Sequence, residues 1–318
     1  MLKYFPGDSS HSKLPEMIFN IQRFSLHDGQ GIRTVVFFKG CPLRCHWCSN
    51  PESHSYSADL MYDARLCRDF RDCLDSGDPV FSSPETIGSK KGREIRIDRK
   101  KIRDASKYRG LCLSKALTAA GEERSTGELI EIIEKDIPFY SPGGGVTLSG
   151  GEPLSIGESL TELLVALKQK NIDVAVETSL HVGWKQIERC IGFVGTFLAD
   201  MKHTDPRKFI RYTGGRAGLV MDNLHKLGKY AINLIIRIPV IPDFNHSMPE
   251  MKQIINFVAT LGYVSEIHFL PYHTLGSEKY KMLGLTDPFP GRKKVDDEEI
   301  RPYEDYAREM GFITKIGG

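Results

Sequence analysis

Residues 28–52 read DGQGIRTVVFFKGCPLRCHWCSNPE. The run 32–38 is β-branched and aromatic, the composition of a strand set into a sheet. A glycine-punctuated turn precedes it. It stops at Gly40 and Pro42, where Cys41, Cys45 and Cys48 follow at C-x3-C-x2-C spacing. A strand that ends in a loop carrying three soft ligands places a metal site at the mouth of a folded scaffold. Thiolates hold iron–sulfur clusters, and they also hold zinc. A cubane on three thiolates keeps one iron open for chemistry, whereas the four-cysteine sites of ferredoxins pass electrons. Structural zinc with His54 as a fourth ligand satisfies the same spacing. Arg44, His46 and Ser49 make the loop polar, which argues against unligated core cysteines.

The 318 residues suffice for one large domain or two smaller ones, and 40% apolar with 26% charged residues is an ordinary globular balance. A net charge of +2 gives no electrostatic reason to expect nucleic acid or a membrane surface as partner. Seven cysteines are an odd number and do not form the dense, even framework of a secreted disulfide domain. The N-terminal stretch MLKYFPGDSSHSKLPE has no apolar signal core, and the apolar tract at 232–241 is broken by Arg237 and proline. A reduced cytoplasm is the expected compartment.

Residues 1–16 read as a tail and 17–24 as a short lead-in strand. From 126 onward, TGELIEIIEKDIPFY has helical spacing behind a capping-type Ser125/Thr126 with Glu128. Strand-like runs at 146–149, 173–177, 194–200, 233–240 and 266–270 then alternate with helical ones at 159–170, 184–190, 206–227 (in pieces) and 248–261. A last helix is expected at 303–310. With the strand at 32–38 this makes six β/α units, the signature of a parallel sheet covered by helices.

In a β/α barrel the reactive groups come from the C-terminal ends of the strands. Those ends carry the cysteines, Ser149-Gly150-Gly151-Glu152, Glu177-Thr178-Ser179, Asp200 with Lys202, Arg237, and Tyr272-His273. So many ligand-grade ends favour a partial (β/α)6 barrel of the TIM type over a flat doubly wound sheet. No Gly-Lys-Ser/Thr follows the glycines, so Gly150 and Gly151 suit close backbone approach to a ligand rather than a triphosphate loop. Asp200 and Lys202 share one face of their strand. The alternative reading of Glu152 is the N-cap carboxylate of a helix.

The string C-x3-C-x-aromatic-C, with Trp47 before Cys48, resembles the radical S-adenosylmethionine (radical SAM) enzymes. DGQGIRT with KGCPLRCHWCSNPES is similar to the activating enzymes of glycyl radical enzymes, with Gln30 at an expected proline. The resemblance covers most of residues 17–318, including KYKMLG and the terminal KIGG. It implies one 4Fe-4S cluster on Cys41, Cys45 and Cys48. It implies S-adenosylmethionine held by Trp47, Asn50, Gly150, Gly151, Glu152, Asp200, Lys202, Arg237 and His273. It further implies a monovalent cation at Glu177 and Thr178, and Asp28 and Arg33 beside the partner's glycine loop. The implied partners are a glycyl radical enzyme and a flavodoxin- or ferredoxin-type reductant.

In such enzymes a ferredoxin-like insert interrupts the barrel, here 17–54 and 115–318. YDARLC, RIDRKKI and LCLSKAL, within 55–114, are similar to its scaffold. The clustered cysteines are missing, since five residues separate Cys67 from Cys73 and Cys112 stands alone, with Asp104, Ser106 and Arg109 where cysteines would fall. The insert therefore reads as a degenerate ferredoxin domain. A single insert cluster on Cys67, Cys73, Cys112 and a non-cysteine ligand is the alternative. For the whole chain, a small-molecule radical SAM enzyme, a zinc-stabilised binding protein and an electron-transfer ferredoxin are the competing readings.

Overall fold

The computed structural model describes residues 16–68, 71–83, 95–140, 142–230 and 232–317; the expected tail lies almost wholly outside them. In chain order the strands are β1 (Glu16–Ser25), β2 (Arg33–Phe38), β3 (Asp59–Tyr62), β4 (Phe81–Ser82), β5 (Arg96–Ile97), β6 (Leu117–Ala120) and β7 (Glu122–Arg124). They continue with β8 (Gly145–Gly150), β9 (Asp173–Thr178), β10 (Thr196–Asp200), β11 (Asn233–Val240), β12 (Val264–Pro271) and β13 (Ile313–Ile316). The helices are α1 (Asp72–Asp75), α2 (Thr126–Glu134), α3 (Glu158–Gln169), α4 (Trp184–Glu188), α5 (Pro206–Thr213), α6 (Ala217–Leu227), α7 (Met248–Val258), α8 (Leu275–Met282) and α9 (Asp297–Glu309).

One nine-stranded sheet runs β13-β12-β11-β10-β9-β8-β2-β1-β7. From β2 to β13 every pairing is parallel, so the six expected units are joined by a seventh strand, β13, from the terminal FITKIGG. β1 and β7 extend the other edge antiparallel.

Strand residues alternate between two faces, and the faces differ. Val36, Val146, Leu148, Val174, Val176, Phe197, Ile236, Ile238 and Ile267 share one buried cluster with helix residues such as Leu129, Ile133, Leu163, Leu167, Leu224, Ile254 and Ile300. The other face has a small apolar floor of Ala175, Leu198 and Ile235, above which the side chains turn polar. α2 is held at its start by the expected capping box, Ser125 with Glu128.

The insert is a small unit with two antiparallel pairs, β3–β6 and β4–β5. Its own core contains Leu60, Cys73, Val80, Phe81, Tyr108 and Leu117. Because β6 pairs with β3 through Ala120, the insert's sheet reaches past residue 114.

Candidate functional site

Chain direction delivers the site. In a parallel sheet all C-terminal ends lie on one side, and here those ends surround a cavity of about 390 Å³. Its walls include Cys41, Cys45, Trp47, Cys48 and Asn50 after β2, and Gly150 and Gly151 at the end of β8. Glu177 and Thr178 come from β9, Asp200 and Lys202 from β10, Arg237 from β11, and Tyr272 and His273 follow β12. A larger cavity, about 1200 Å³, lies between the insert and the sheet and includes none of these residues. The chemistry-bearing side chains gather in the smaller one.

The three cysteines are free and half-buried. Their loop is strapped to the end of α5, with Arg44 N–H donating to the Thr213 carbonyl at 2.7 Å and His46 N–H to that of Tyr212 at 3.0 Å. Trp47 packs on Phe244 with ring centroids 4.7 Å apart. Burial pushes all three thiols up, Cys48 to about 12, and the neighbouring Cys45 adds to it for Cys41 and Cys48. Lys202 works the other way on Cys45, as a positive charge facing a thiolate. Metal binding reverses the effect of burial, since a coordinated thiol is deprotonated outright. No set of three or more His, Cys, Asp or Glu side chains among the described residues is gathered around a single-ion position. A cubane spreads its thiolates over several irons, and three free cysteines on one cavity wall fit that demand.

Opposite lies a charged network. Arg237 pairs with Glu177 and donates to Asp200 at 3.1 Å, the residue facing it across the β10–β11 register. Lys202 donates to the other Asp200 oxygen at 2.5 Å, and Ser149 donates to Glu177 at 2.5 Å. Burial alone would raise the Asp200 carboxyl, but Lys202 and Arg237 outweigh it and hold it below its ordinary value. Glu177 goes up through burial, which Arg237 only partly offsets. Two cations thus face two carboxylates on this wall, and the charges are paired with one another.

The model of the Radical SAM superfamily matches residues 35–255. The chain belongs to the radical SAM superfamily. Its relatives are activating enzymes. The choline trimethylamine-lyase activating enzyme of Oleidesulfovibrio alaskensis is 36% identical over 94% of this chain and 97% of that one. The (2S)-3-sulfopropanediol dehydratase activating enzyme of Klebsiella oxytoca is 36% identical over 95% and 97%. The structure of Streptococcus suis SuiB bound to precursor peptide SuiA shares the fold at a TM-score of 0.52 and 12% identity, over 89% of this chain and 48% of that one. This radical SAM protein is therefore an enzyme of the glycyl radical enzyme activase group. Its family implies a 4Fe-4S cluster and S-adenosylmethionine.

Two expected site residues of this radical SAM enzyme sit elsewhere. Arg33 was expected beside a partner's glycine loop, yet its side chain is 1% exposed and fully engaged. It donates to Thr147 Oγ1 at 2.7 Å, to the carbonyls of Gln30, Gly143 and Val146, and to Asp173 Oδ2 at 3.0 Å. It opens β2, so it belongs to the end of the sheet away from the cysteines and ties the strand starts together. Asp28, from the same turn, does reach the cavity.

Glu152 was expected to meet the cofactor amino group. It is 0% exposed and does not line the cavity. One carboxylate oxygen accepts from Thr178 Oγ1 at 2.7 Å and Leu154 N–H at 3.2 Å, and the other from Ser179 N–H at 2.8 Å and Ser179 Oγ at 2.5 Å. It caps the turn at 153–155 and brackets the ends of β8 and β9. Gly150 and Gly151 line the cavity, but what a side chain would strike there is the chain's own backbone, at Phe38 and at Gly40 and Ser53.

Sequence reading missed the supports of this radical SAM site. Asn245 is fully buried and donates to the carbonyls of Lys202 at 2.9 Å and Pro239 at 2.7 Å, pinning the ends of β10 and β11. Phe244 beside it carries Trp47, His203 and Tyr212. The only signal was an aromatic and an amide directly after a strand end.

Proposed function

We propose that the chain uses this cavity to hold S-adenosylmethionine against a cluster on Cys41, Cys45 and Cys48, and so activates a glycyl radical enzyme. The observation that carries the reading is the pairing of three free cysteines with the Arg237–Asp200–Lys202 network across one cavity. When bound, the cluster supplies the electron that cleaves the C5′–S bond of S-adenosylmethionine, giving methionine and the radical that takes a hydrogen from a partner's glycine Cα.

The chain's own part is to bind, orient and shield. Lys202 and Arg237 face the anionic end of the nucleotide, and Asp200 accepts from its hydroxyls. Trp47, Asn50, Gly150, Gly151 and His273 form the remaining walls. Burial keeps His273 below its ordinary histidine range, so it meets the ligand as a neutral ring. Glu177 and Thr178 offer oxygens to a monovalent cation, in competition with Arg237 for the Glu177 carboxylate. Asp28 sits where the partner's glycine loop enters. Holding the nucleotide and the partner's C–H bond at close range would be the main catalytic contribution of the fold.

The architecture is a partial barrel whose inner face is the polar one, and the insert is a degenerate ferredoxin-like unit without clusters. Cys73 lies in the insert's apolar core, which supports that assignment. Reconstituted protein then carries about four irons per chain, from one cubane; about twelve would mean that the insert holds two more. The reductant is a flavodoxin- or ferredoxin-type protein, and neither nucleic acid nor membrane is a partner. Among the described residues no helix is long and apolar enough to cross a membrane.

The test is anaerobic incubation with S-adenosylmethionine, reductant and a panel of glycyl radical enzymes deuterated at glycine Cα. Deuterium appearing in 5′-deoxyadenosine with one panel member is expected. Deuterium arriving only from a labelled small molecule would replace this reading with that of a small-molecule enzyme.

A further inference from the structure

α8 lies directly against the cysteine loop. A side chain at Gly276 would strike the Cys48 carbonyl, so glycine is what allows the approach. One turn further on, Lys279 reaches back over the loop. Its ammonium donates to Asn50 Oδ1 at 2.6 Å and to Glu52 Oε1 at 2.6 Å. Glu52 is itself buried, and its backbone carbonyl takes a bond from the buried Lys39. Lys279 does not line the cavity, whereas Asn50 does.

An ammonium has three donors and no acceptor. A carboxamide facing it must do so with its oxygen, because the NH2 group would set donor against donor. Lys279 therefore fixes which way the Asn50 amide is turned. With the oxygen spent on Lys279, the group Asn50 has left for the cavity is its NH2, which makes no hydrogen bond of its own among the described residues. The atom it meets has to be an acceptor. Glu52 holds the ammonium in place from the other side.

We propose that Lys279 is a positioning residue which locks the Asn50 carboxamide NH2-inward, so that Asn50 reads a hydrogen-bond acceptor on the bound nucleotide. This rests on S-adenosylmethionine being the ligand of the cavity. An arginine keeps the donor-only character, and methionine removes it while keeping the length of the stem.

The experiment measures equilibrium binding of S-adenosylmethionine to the anaerobically reconstituted protein with its cluster oxidised, so that no turnover intervenes. Lys279→Met should weaken binding about tenfold, the loss of one oriented hydrogen bond. Asn50→Ala should do the same, and the double variant should be no weaker than either single one, because Lys279 acts through Asn50. Lys279→Arg should bind within about threefold of the parent, a margin well inside one hydrogen bond. Iron content should stay equal in all four.

Losses that multiply in the double variant, or unchanged binding by Lys279→Met, would overturn the proposal. Iron lost in step with affinity would do so too, by making Lys279 a brace of the loop. A parent protein that takes up iron and binds no S-adenosylmethionine is a different failure, that of the functional reading beneath it.

Discussion

Glu152→Ala separates a bracket from a cofactor ligand. The carboxylate is the acceptor for two buried backbone N–H groups, of Ser179 and Leu154, and for two hydroxyls that can rotate to other partners. Removing it orphans both N–H groups, at about 1–3 kcal/mol each, so about 2–6 kcal/mol in all. Unfolding entropy of about 2.1 cal/mol/K per residue gives about 0.7 kcal/mol/K for a chain of this size, which converts the loss into a fall in Tm of about 3–9 °C. Glu152→Gln presents an acceptor on one side only and should fall about halfway. The assay is thermal unfolding of both variants beside the parent, with S-adenosylmethionine binding measured well below the transition. The structure predicts lowered Tm with affinity within about threefold of the parent, less than one hydrogen bond is worth. A Tm within about 1 °C of the parent, a shift too small for any orphaned N–H, together with a tenfold loss of affinity would refute the reasoning and return Glu152 to the ligand.

Other predictions concern groups outside the cavity. Burial, with the charges of Arg44 and Lys39 nearby, pushes His54 down to about 4. An unfolded histidine titrates near about 6.5, so below that pH the unfolded chain binds a proton that the folded chain refuses. The stability difference is full above the unfolded value and is lost as pH falls through that window. Denaturant midpoints of the parent should drop between about pH 7 and pH 5 more than those of His54→Gln, across the titration range of an ordinary histidine; parallel curves would contradict the assignment. Arg33→Met should cost about 3–5 kcal/mol in denaturant unfolding by leaving buried acceptors unpaired and the network broken. It should leave the partner's KM unchanged, and a raised KM with normal stability would return Arg33 to the docking surface.

How much of this was written in the sequence depended on how local the cause was. The cysteines and the strand ends were legible because spacing and period are local properties. Since the strands of the large sheet's parallel part run the same way, the last polar residues of β8, β9, β10 and β11 (Ser149, Thr178, Asp200 and Arg237) all line the cavity. Arg33 and Glu152 misled for the opposite reason. Each stands beside a motif, but its side chain's direction depends on strand polarity and on a neighbouring strand's donors. Arg33 is at the wrong end of β2, and Glu152 is claimed by Thr178 and Ser179. β13 has only four residues and shows little alternation before it is seen pairing with β12. Lys279 lies 229 positions from Asn50, a distance that no window of sequence spans.

The central claim is that Cys41, Cys45 and Cys48 together create the place where S-adenosylmethionine is cleaved. The direct measurement is 5′-deoxyadenosine formed anaerobically with a chemical reductant by the reconstituted parent and by Cys41→Ala, Cys45→Ala and Cys48→Ala. The account predicts product from the parent and none above background from each variant. Product from any of the three variants at the parent's rate would contradict it.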